Sequence, residues 1–273
     1  MPLRVLRNDL DADASQLSVD ADSVYVMFDS GSVLRVCKAS GDATPLRVTC
    51  TGGNVVGDAS HAYVVDVGAN RASCVDKSGE GAARVLIPEL DLSGVGLLDQ
   101  LHLYVTTPDA ICRVPKGGGP VERVHRRDEV ELLSVDEHSI YFVAGSFFGR
   151  RVRAFRLPKA GGAAREVDIG RALPGTVRFV GGSFHVLRES GVLERIDATT
   201  GARHEVRRLD LRDRPFLAMN RRYVYQGTVG RAPLAGGPLE TMTVKDLVHD
   251  VVDDSGIHWL ERIGDTVALE VWA

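Results

Sequence analysis

One short pattern of apolar and aromatic positions recurs along the whole chain. Each copy is a β-rich apolar run with a tyrosine or histidine near its start, as in SVYVMF, SIYFVAG and GIHWLER. The anchors of the seven copies are Tyr25, Tyr63, Tyr104, Tyr141, His185, Tyr225 and His258. Successive anchors are 38, 41, 37, 44, 40 and 33 residues apart. This period is close to the roughly 40 to 45 residues of a four-stranded propeller blade.

Each anchor run is flanked by other runs of strand character. A shorter apolar run precedes it, and two runs joined by a glycine-bearing turn follow it, as in ICRVPKGGGPVERV at 111–124. We name the four strands a, b, c and d in chain order, with the anchor on strand b. Strands a and b are nearly continuous in apolar residues, which favours burial on both faces between stacked blades. Glycine and proline interrupt the chain too often for an amphipathic helix.

The two ends of the chain give the sharpest indication of the fold. The seventh copy has strands b and c, at 256–262 and 266–273, but no strand d. The chain begins with an extra run, PLRVL at 2–6, which matches the strand d of the first copy, PLRV at 45–48. We therefore predict an all-β single domain over 1–273, a seven-bladed β-propeller of four-stranded antiparallel blades. Strand 2–6 closes the last blade and removes open strand edges.

The repeat resembles the bacterial β-propeller proteins of the YWTD, NHL and quinoprotein-like class. The matching residues are Tyr141–Phe142 with Arg156-Leu157-Pro158-Lys159 and Gly161-Gly162, and Tyr104–Val105 with Arg113-Val114-Pro115-Lys116 and Gly117-Gly118. The resemblance covers the whole chain and implies the propeller fold, but it transfers no active site. The chain has no YWTD tetrad and no Trp-Asp pair at the blade ends.

Charge and hydropathy exclude some partners. The net charge is −4, which argues against general nucleic-acid binding. No apolar run approaches the ~20 residues of a membrane span, and the N-terminus lacks the apolar region of an export signal. We expect a cytoplasmic monomer that binds neither nucleic acid nor membranes. A protein exported with a signal that has been trimmed is the alternative.

Several short patterns have a structural and a chemical interpretation. The glycine clusters at 117–119, 161–162 and 236–237 favour tight turns over phosphate loops, because no helix follows them. Asp9-x-Asp11-x-Asp13 departs from a calcium loop at its later positions, which favours a solvated connection. We interpret Cys37, Cys50, Cys74 and Cys112 as small buried thiols, with one disulfide between neighbouring strands as the alternative. We expect no metal site and no cofactor.

The longest spacing contains the most unusual loop. Residues 145–151, GSFFGRR, place two phenylalanines beside two arginines, and both residue types are enriched at binding hot spots. In a propeller the b–c and d–a connections gather on one face around the channel mouth. The predicted binding residues on this face are Phe147, Phe148, Arg150, Arg151, Arg71, Asp109, Asp213 and Arg214, with Asn54, Asn70, Asp91, Asp128 and Arg212 as further neighbours. The alternative is one inward-packing phenylalanine and a solvated arginine pair.

These patterns favour a non-enzymatic binding module that presents its loop face to a protein, peptide or small ligand. The alternative is a metal-assisted lyase or lactonase-like enzyme with its site at the channel mouth, and the sequence leaves open whether the chain catalyses a reaction. A third hypothesis is an anionic ligand on residues 203–222, which carry seven arginines against three acids. The sequence contains neither a Gly-x-Ser-x-Gly elbow nor a His-Glu-x-x-His motif.

Overall fold

The structure, a computed structural model, consists of β-strands joined by turns. It describes residues 3–145, 152–172, 175–209, 217–226, 230–235, 237–238, 240–241 and 247–272. Over these ranges there are 28 strands and no helix. The strands form seven sheets of four strands each. The predicted number of blades and their composition are therefore confirmed.

The chain begins with β1 (Leu3–Leu10) and then forms the blades in order. Blade 1 contains β2 (Ala14–Val19), β3 (Ser23–Phe28), β4 (Ser32–Cys37) and β5 (Ala43–Thr49). Blade 2 contains β6 (Gly53–Gly57), β7 (His61–Asp66), β8 (Arg71–Asp76) and β9 (Arg84–Ile87). Blade 3 contains β10 (Leu97–Leu98), β11 (His102–Thr107), β12 (Ala110–Pro115) and β13 (Glu122–Arg126).

The later blades follow the same order of strands. Blade 4 contains β14 (Val130–Val135), β15 (Ser139–Ala144), β16 (Arg153–Pro158) and β17 (Arg165–Val167). Blade 5 contains β18 (Val177–Val180), β19 (Ser183–Leu187), β20 (Val192–Asp197) and β21 (Arg203–Arg208). Blade 6 contains β22 (Leu217–Met219), β23 (Tyr223–Gln226), β24 (Gly230–Pro233) and β25 (Glu240–Thr241). Blade 7 contains β26 (Leu247–Asp253), β27 (Gly256–Ile263), β28 (Thr266–Trp272) and β1.

The chain divides into two compact units. Unit 1 comprises Met1–Thr107, Ile111–Arg123 and Val244–Ala273, and unit 2 comprises Pro108–Ala110 and Val124–Thr243. Blades 1, 2 and 7 belong to unit 1, and blades 4, 5 and 6 belong to unit 2.

The N-terminal strand is the outer strand of blade 7. It runs antiparallel to β28, with Leu3 opposite Trp272. This confirms that the N-terminus supplies the missing strand, although Pro2 lies outside the described residues. The strand continues beyond residue 6 because Leu10 also enters the core, where it is 3% exposed. Leu6 and Leu10 share one apolar cluster with Val267, among other residues.

Each anchor tyrosine is held by a polar network that we call the anchor clamp. In blade 2, Asp58 lies five residues before Tyr63 and accepts its hydroxyl at 3.0 Å. The other Asp58 oxygen accepts the backbone N–H groups of Ser60 and His61, at 3.1 and 2.9 Å. Lys116, from the turn after strand c of blade 3, donates to Asp58 at 2.9 Å. The clamp therefore fixes the a–b turn and ties it to the next blade.

The same position supplies the clamp in most blades. The anchor bonds to the residue five positions earlier in blades 1, 2, 3, 4, 6 and 7, where that residue is Asp20, Asp58, Asp99, Asp136, Asn220 and Asp253. Lys77 contacts Asp20 at 2.8 Å, and Lys38 pairs with Asp253. In blade 5 the corresponding residue is Val180, which has no polar side-chain atom.

The structure also tests the predictions for the glycine clusters and the cysteines. Gly118 and Gly119 lie in the c–d turn of blade 3 with φ of 86° and 139°, which confirms the prediction of a tight turn. Gly236 lies outside the described residues. All four cysteines are free thiols. Three are buried as predicted, whereas Cys37, at the end of its strand, is only half-buried.

Candidate functional site

The connections between blades 3 and 4 form a bonded rim. The Arg127 N–H donates to the Asp109 carbonyl at 2.8 Å, which ties the d–a connection to the b–c turn of blade 3. The Glu129 N–H donates to the Pro108 carbonyl, and Gly145 donates to the Glu129 carbonyl, both at 3.3 Å. Glu129 has a φ of 51°, in the left-handed region, which turns the chain sharply into β14.

This rim encloses a cleft of about 500 Å³ in unit 2, which we call the loop-face cleft. The described residues that line it are Asp109, Arg126, Arg127, Asp128, Glu129, Gly145 and Arg153. They comprise three arginines and three acids, so the lining offers charges of both signs and no net charge. The volume falls within the range of pockets that bind small molecules.

Arg127 is positioned by a column of aromatic rings. Its guanidinium lies over the Phe155 ring, 3.9 Å from the centroid. Phe155 stacks on Phe142 with centroids 5.1 Å apart, and Phe142 contacts His125 at 5.6 Å. Burial and the nearby charge of Arg153 lower the pKa of Arg127. Burial and Arg127 lower the pKa of His125, which favours its neutral form. A stack of aromatic rings beneath Arg127 therefore holds this cation at the edge of the cleft.

The other charged groups of the cleft are more open. Arg126, Asp128 and Asp109 are exposed. Within the described ranges, the side chains of Arg126 and Asp128 form no hydrogen bond or ion pair. Arg153 is exposed and lies 3.4 Å from Glu166. Since such exposed pairs contribute little to stability, these groups can exchange water for a partner's charges at small cost.

The structure places only part of the predicted site. Asp109 and Asp128 line the loop-face cleft, together with Gly145, the first residue of the predicted Phe-Arg loop. Arg71 lies in unit 1 at the start of β8, where it donates to the Thr49 hydroxyl at 3.3 Å. The remaining predicted residues lie outside the described ranges, so their role stays a prediction: Phe147, Phe148, Arg150, Arg151, Asp213 and Arg214.

Sequence reasoning missed the three arginines of the cleft. Arg126 and Arg153 end and begin strands, and periodicity assigns such positions to the blade rather than to a loop. Arg127 gave a usable signal, because Arg126-Arg127-Asp128 is a charged run next to Asp109 in the predicted connections. Its placement depends on Phe155, which comes from another strand.

Two further properties bear on the chemistry of the chain. Within the described residues, no three His, Cys, Asp or Glu side chains come close enough together to hold a metal ion. These residues also include no helix with the length and apolar character needed to cross a bilayer.

Comparisons with known proteins show the fold. A comparison with protein-family models finds no match, and neither does one with curated protein sequences. Among solved structures, virginiamycin B lyase from Staphylococcus aureus is similar, with a TM-score of 0.68 and 11% identity. The similarity covers 100% of this chain and 99% of that one. A catalytically inactive histidine-to-alanine variant of that lyase, solved with quinupristin, has a TM-score of 0.66.

Two other similar structures belong to different proteins. BamB from Moraxella catarrhalis has a TM-score of 0.62 and 16% identity, over 99% of this chain and 97% of that one. PorZ of Porphyromonas gingivalis, a surface component of the type-IX secretion system, has a TM-score of 0.64 and 8% identity. The chain covers 39% of PorZ. At these identities the similarity shows the β-propeller repeat fold and no shared activity.

Proposed function

We propose that the chain is a non-enzymatic binding module and that the loop-face cleft receives a charged segment of a protein or peptide. One observation carries the proposal: three arginines and three acids converge on one cleft whose rim is fixed by backbone hydrogen bonds. A lining with both signs of charge favours a polypeptide segment with both signs over a simple anion. Loops on a rigid scaffold commonly carry binding functions.

The geometry also suggests how the cleft would select its partner. Arg127 is pre-positioned on Phe155, so its immobilisation costs little entropy on binding. Arg126 and Asp128 are exposed and can pair with opposite charges on the incoming segment. The proposal keeps the sequence prediction that Phe147 and Phe148 provide an apolar anchor for the partner. The similar PorZ, a component of a secretion system, is an example of this fold within an assembly.

The proposal is tested by affinity capture from a bacterial lysate with matched charge reversals. The test variant is Arg126→Glu with Arg153→Glu, and the control is Arg165→Glu with Arg171→Glu, two exposed arginines of unit 2 outside the cleft. We expect wild type and control to retain the same protein and the test variant to lose it. Titration of the purified pair should show at least about a tenfold loss of affinity.

Three outcomes contradict the proposal: equal retention by the test variant, equal loss in the control, or no protein retained by wild type. The enzymatic alternative has its own assay, because a metal-assisted lyase or lactonase binds a divalent ion. Purified protein with stoichiometric calcium, magnesium or zinc, together with turnover of a lactone, would favour that alternative.

A further inference from the structure

Blade 5 lacks both charged groups of the anchor clamp, the carboxylate and the lysine from the next blade. Val180 stands where the clamp aspartate lies in neighbouring blades. Leu234 of blade 6 stands where Lys77 and Lys116 reach back to the preceding blade. The backbone fixes this equivalence, because the N–H groups of Lys77, Lys116 and Leu234 all donate to the a–b turn of their own blade, at 2.8 to 2.9 Å. The carboxylate and the ammonium are therefore both absent here.

The anchor of blade 5 lacks the partner that the other anchors have. His185 is 4% exposed, and its Nδ1 has no hydrogen-bond partner. Burial and, to a smaller extent, the nearby charge of Arg195 lower the pKa of His185 to about 4, although a hydrogen bond with the Ser183 backbone raises it. The imidazole is therefore neutral at pH 7, and it can donate to a carboxylate at this nitrogen when Nδ1 carries its proton. A buried polar atom without a partner is costly, which points to a missing group.

Arg195 lies directly opposite His185 on strand c and is also without its usual partner. The corresponding Arg35 and Arg156 donate through Nε to serines of their own blades, at 2.8 and 2.9 Å. Arg195 forms no hydrogen bond or ion pair with any residue that the structure describes. The row continues to His204, opposite Arg195 on strand d. Arg195 and His204 thus lie in one row with the imidazole of His185 across strands b, c and d.

These residues line a cleft of about 510 Å³ in unit 2, which we call the fifth-blade cleft. Its lining consists of Val180, Gly181, His185, Arg195, His204, Glu205, Val206, Arg221, Leu234 and Ala235. Two arginines oppose one glutamate, so the cleft is cationic. Val180, Val206 and Leu234 form an apolar wall that continues the core between blades 5 and 6. The cleft therefore combines a polar end with an apolar flank.

The geometry points to a binding site for a carboxylate attached to an apolar body, with the carboxylate in the position of the clamp aspartate that blade 5 lacks. In blade 2 the carboxylate at that position accepts hydrogen bonds from a hydroxyl, two backbone N–H groups and a lysine. In blade 5 the carboxylate of the ligand would accept hydrogen bonds from the imidazole of His185 and the guanidinium of Arg195. Charge-assisted hydrogen bonds of this kind are among the stronger ones in proteins. The apolar part of the ligand would cover Val180 and Leu234.

The probes are sodium hexanoate, N-acetyl-leucine and N-acetyl-leucine amide, each titrated into the intact protein and followed by NMR. We expect hexanoate to bind with a Kd of about 1 mM and the uncharged amide at least about tenfold more weakly. The shifted amides should lie at 180–185, 195 and 204–206. Tighter binding of N-acetyl-leucine than of hexanoate would identify a peptide C-terminus as the source of the carboxylate, and the reverse order a free aliphatic acid.

Two variants test the position of the carboxylate. Val180→Asp restores the clamp from within the chain and should reduce hexanoate affinity at least about tenfold. Because an acid in this apolar wall could impair folding, Arg195→Gln provides a second test at an exposed position, with a similar loss expected. The matched control is Arg156→Gln in blade 4, which should bind hexanoate as wild type does. Binding unaffected by Arg195→Gln, equal binding of the amide, or no binding by wild type overturns the proposal.

Discussion

Asp58 shows how one residue holds a turn, an anchor and a neighbouring blade together. Burial alone would raise the pKa of this carboxyl, but hydrogen bonds from Lys116, two backbone N–H groups and Tyr63 lower it well below its ordinary value of 3.8. The clamp therefore stabilises the ionised form. The folded-state pKa lies below the unfolded one, so this stabilisation is present above about pH 4 and is lost as the pH falls through the folded-state pKa.

The variant Asp58→Asn tests this linkage. Asn220 already serves as the clamp residue of blade 6, so an amide can keep the turn while losing the ion pair with Lys116. We expect urea unfolding at pH 7 to show a loss of about 1–2 kcal/mol. The difference from wild type should shrink progressively below pH 4, because Asp58 of the unfolded chain then takes up a proton while the folded clamp still holds it ionised.

The control is Asp11→Asn, an exposed position whose side chain makes no bond to a described residue. It should change stability little at either pH. If Asp58→Asn kept a constant deficit down to pH 2, the ionised clamp would not be the cause of the loss.

The anchors could be predicted from the sequence, and their clamps could not. Tyr63 and its counterparts are visible because apolar runs repeat around them. The Asp-x-x-x-x-Tyr spacing was also present, but an acid before a strand usually indicates a solvated turn. The lysine lies 58 residues away, beyond any local pattern. His185 occupies an anchor position in the repeat, and it is buried like the anchor tyrosines.

At the scale of elements, β1 shows how a terminal strand becomes part of the core. Its inward side chains, Leu6 and Leu10, lie in one cluster with residues of blades 7 and 1. Its outward Val5 is 50% exposed. The sequence located the strand through its match to 45–48 but ended it at residue 6. The charged stretch at 7–9 conceals the continuation, which depends on irregular pairing after Val5.

A pair of alanine substitutions separates the two faces of β1. Leu6→Ala leaves a cavity among well-packed side chains and should lower the free energy of unfolding by about 2–4 kcal/mol. Val5→Ala, on the exposed face, should change it by less than about 1 kcal/mol. Denaturant titration of both variants gives the comparison. Equal losses would indicate that β1 adds backbone pairing without contributing to the core.

At the scale of the whole molecule, periodicity predicted the blades because each blade repeats the same sequence of buried apolar strands and turns. The clefts arise where that repetition fails, so the repeat pattern contains little information about them. The loop-face cleft needs Arg127 over Phe155, a contact between the connection that follows blade 3 and a strand of blade 4. The fifth-blade cleft needs the joint replacement of an acid and a lysine by Val180 and Leu234. Taken singly, Val180 and Leu234 are ordinary apolar residues, and neither marks a binding site in the sequence.

Both clefts lie in unit 2, at opposite ends of the strands. The loop-face cleft uses b–c and d–a connections, whereas the fifth-blade cleft uses a–b and c–d turns. A polypeptide partner and a small carboxylate could therefore bind to the same molecule without competing.

Hydrogen–deuterium exchange of the wild-type protein with its captured partner locates the partner's contact directly. We predict slower exchange at 109, 126–129 and 145 when the partner is bound, and unchanged exchange at 180–185 and 234–235. Protection confined to the a–b and c–d turns, with no change at 126–129, would contradict the assignment of the loop-face cleft as the binding site.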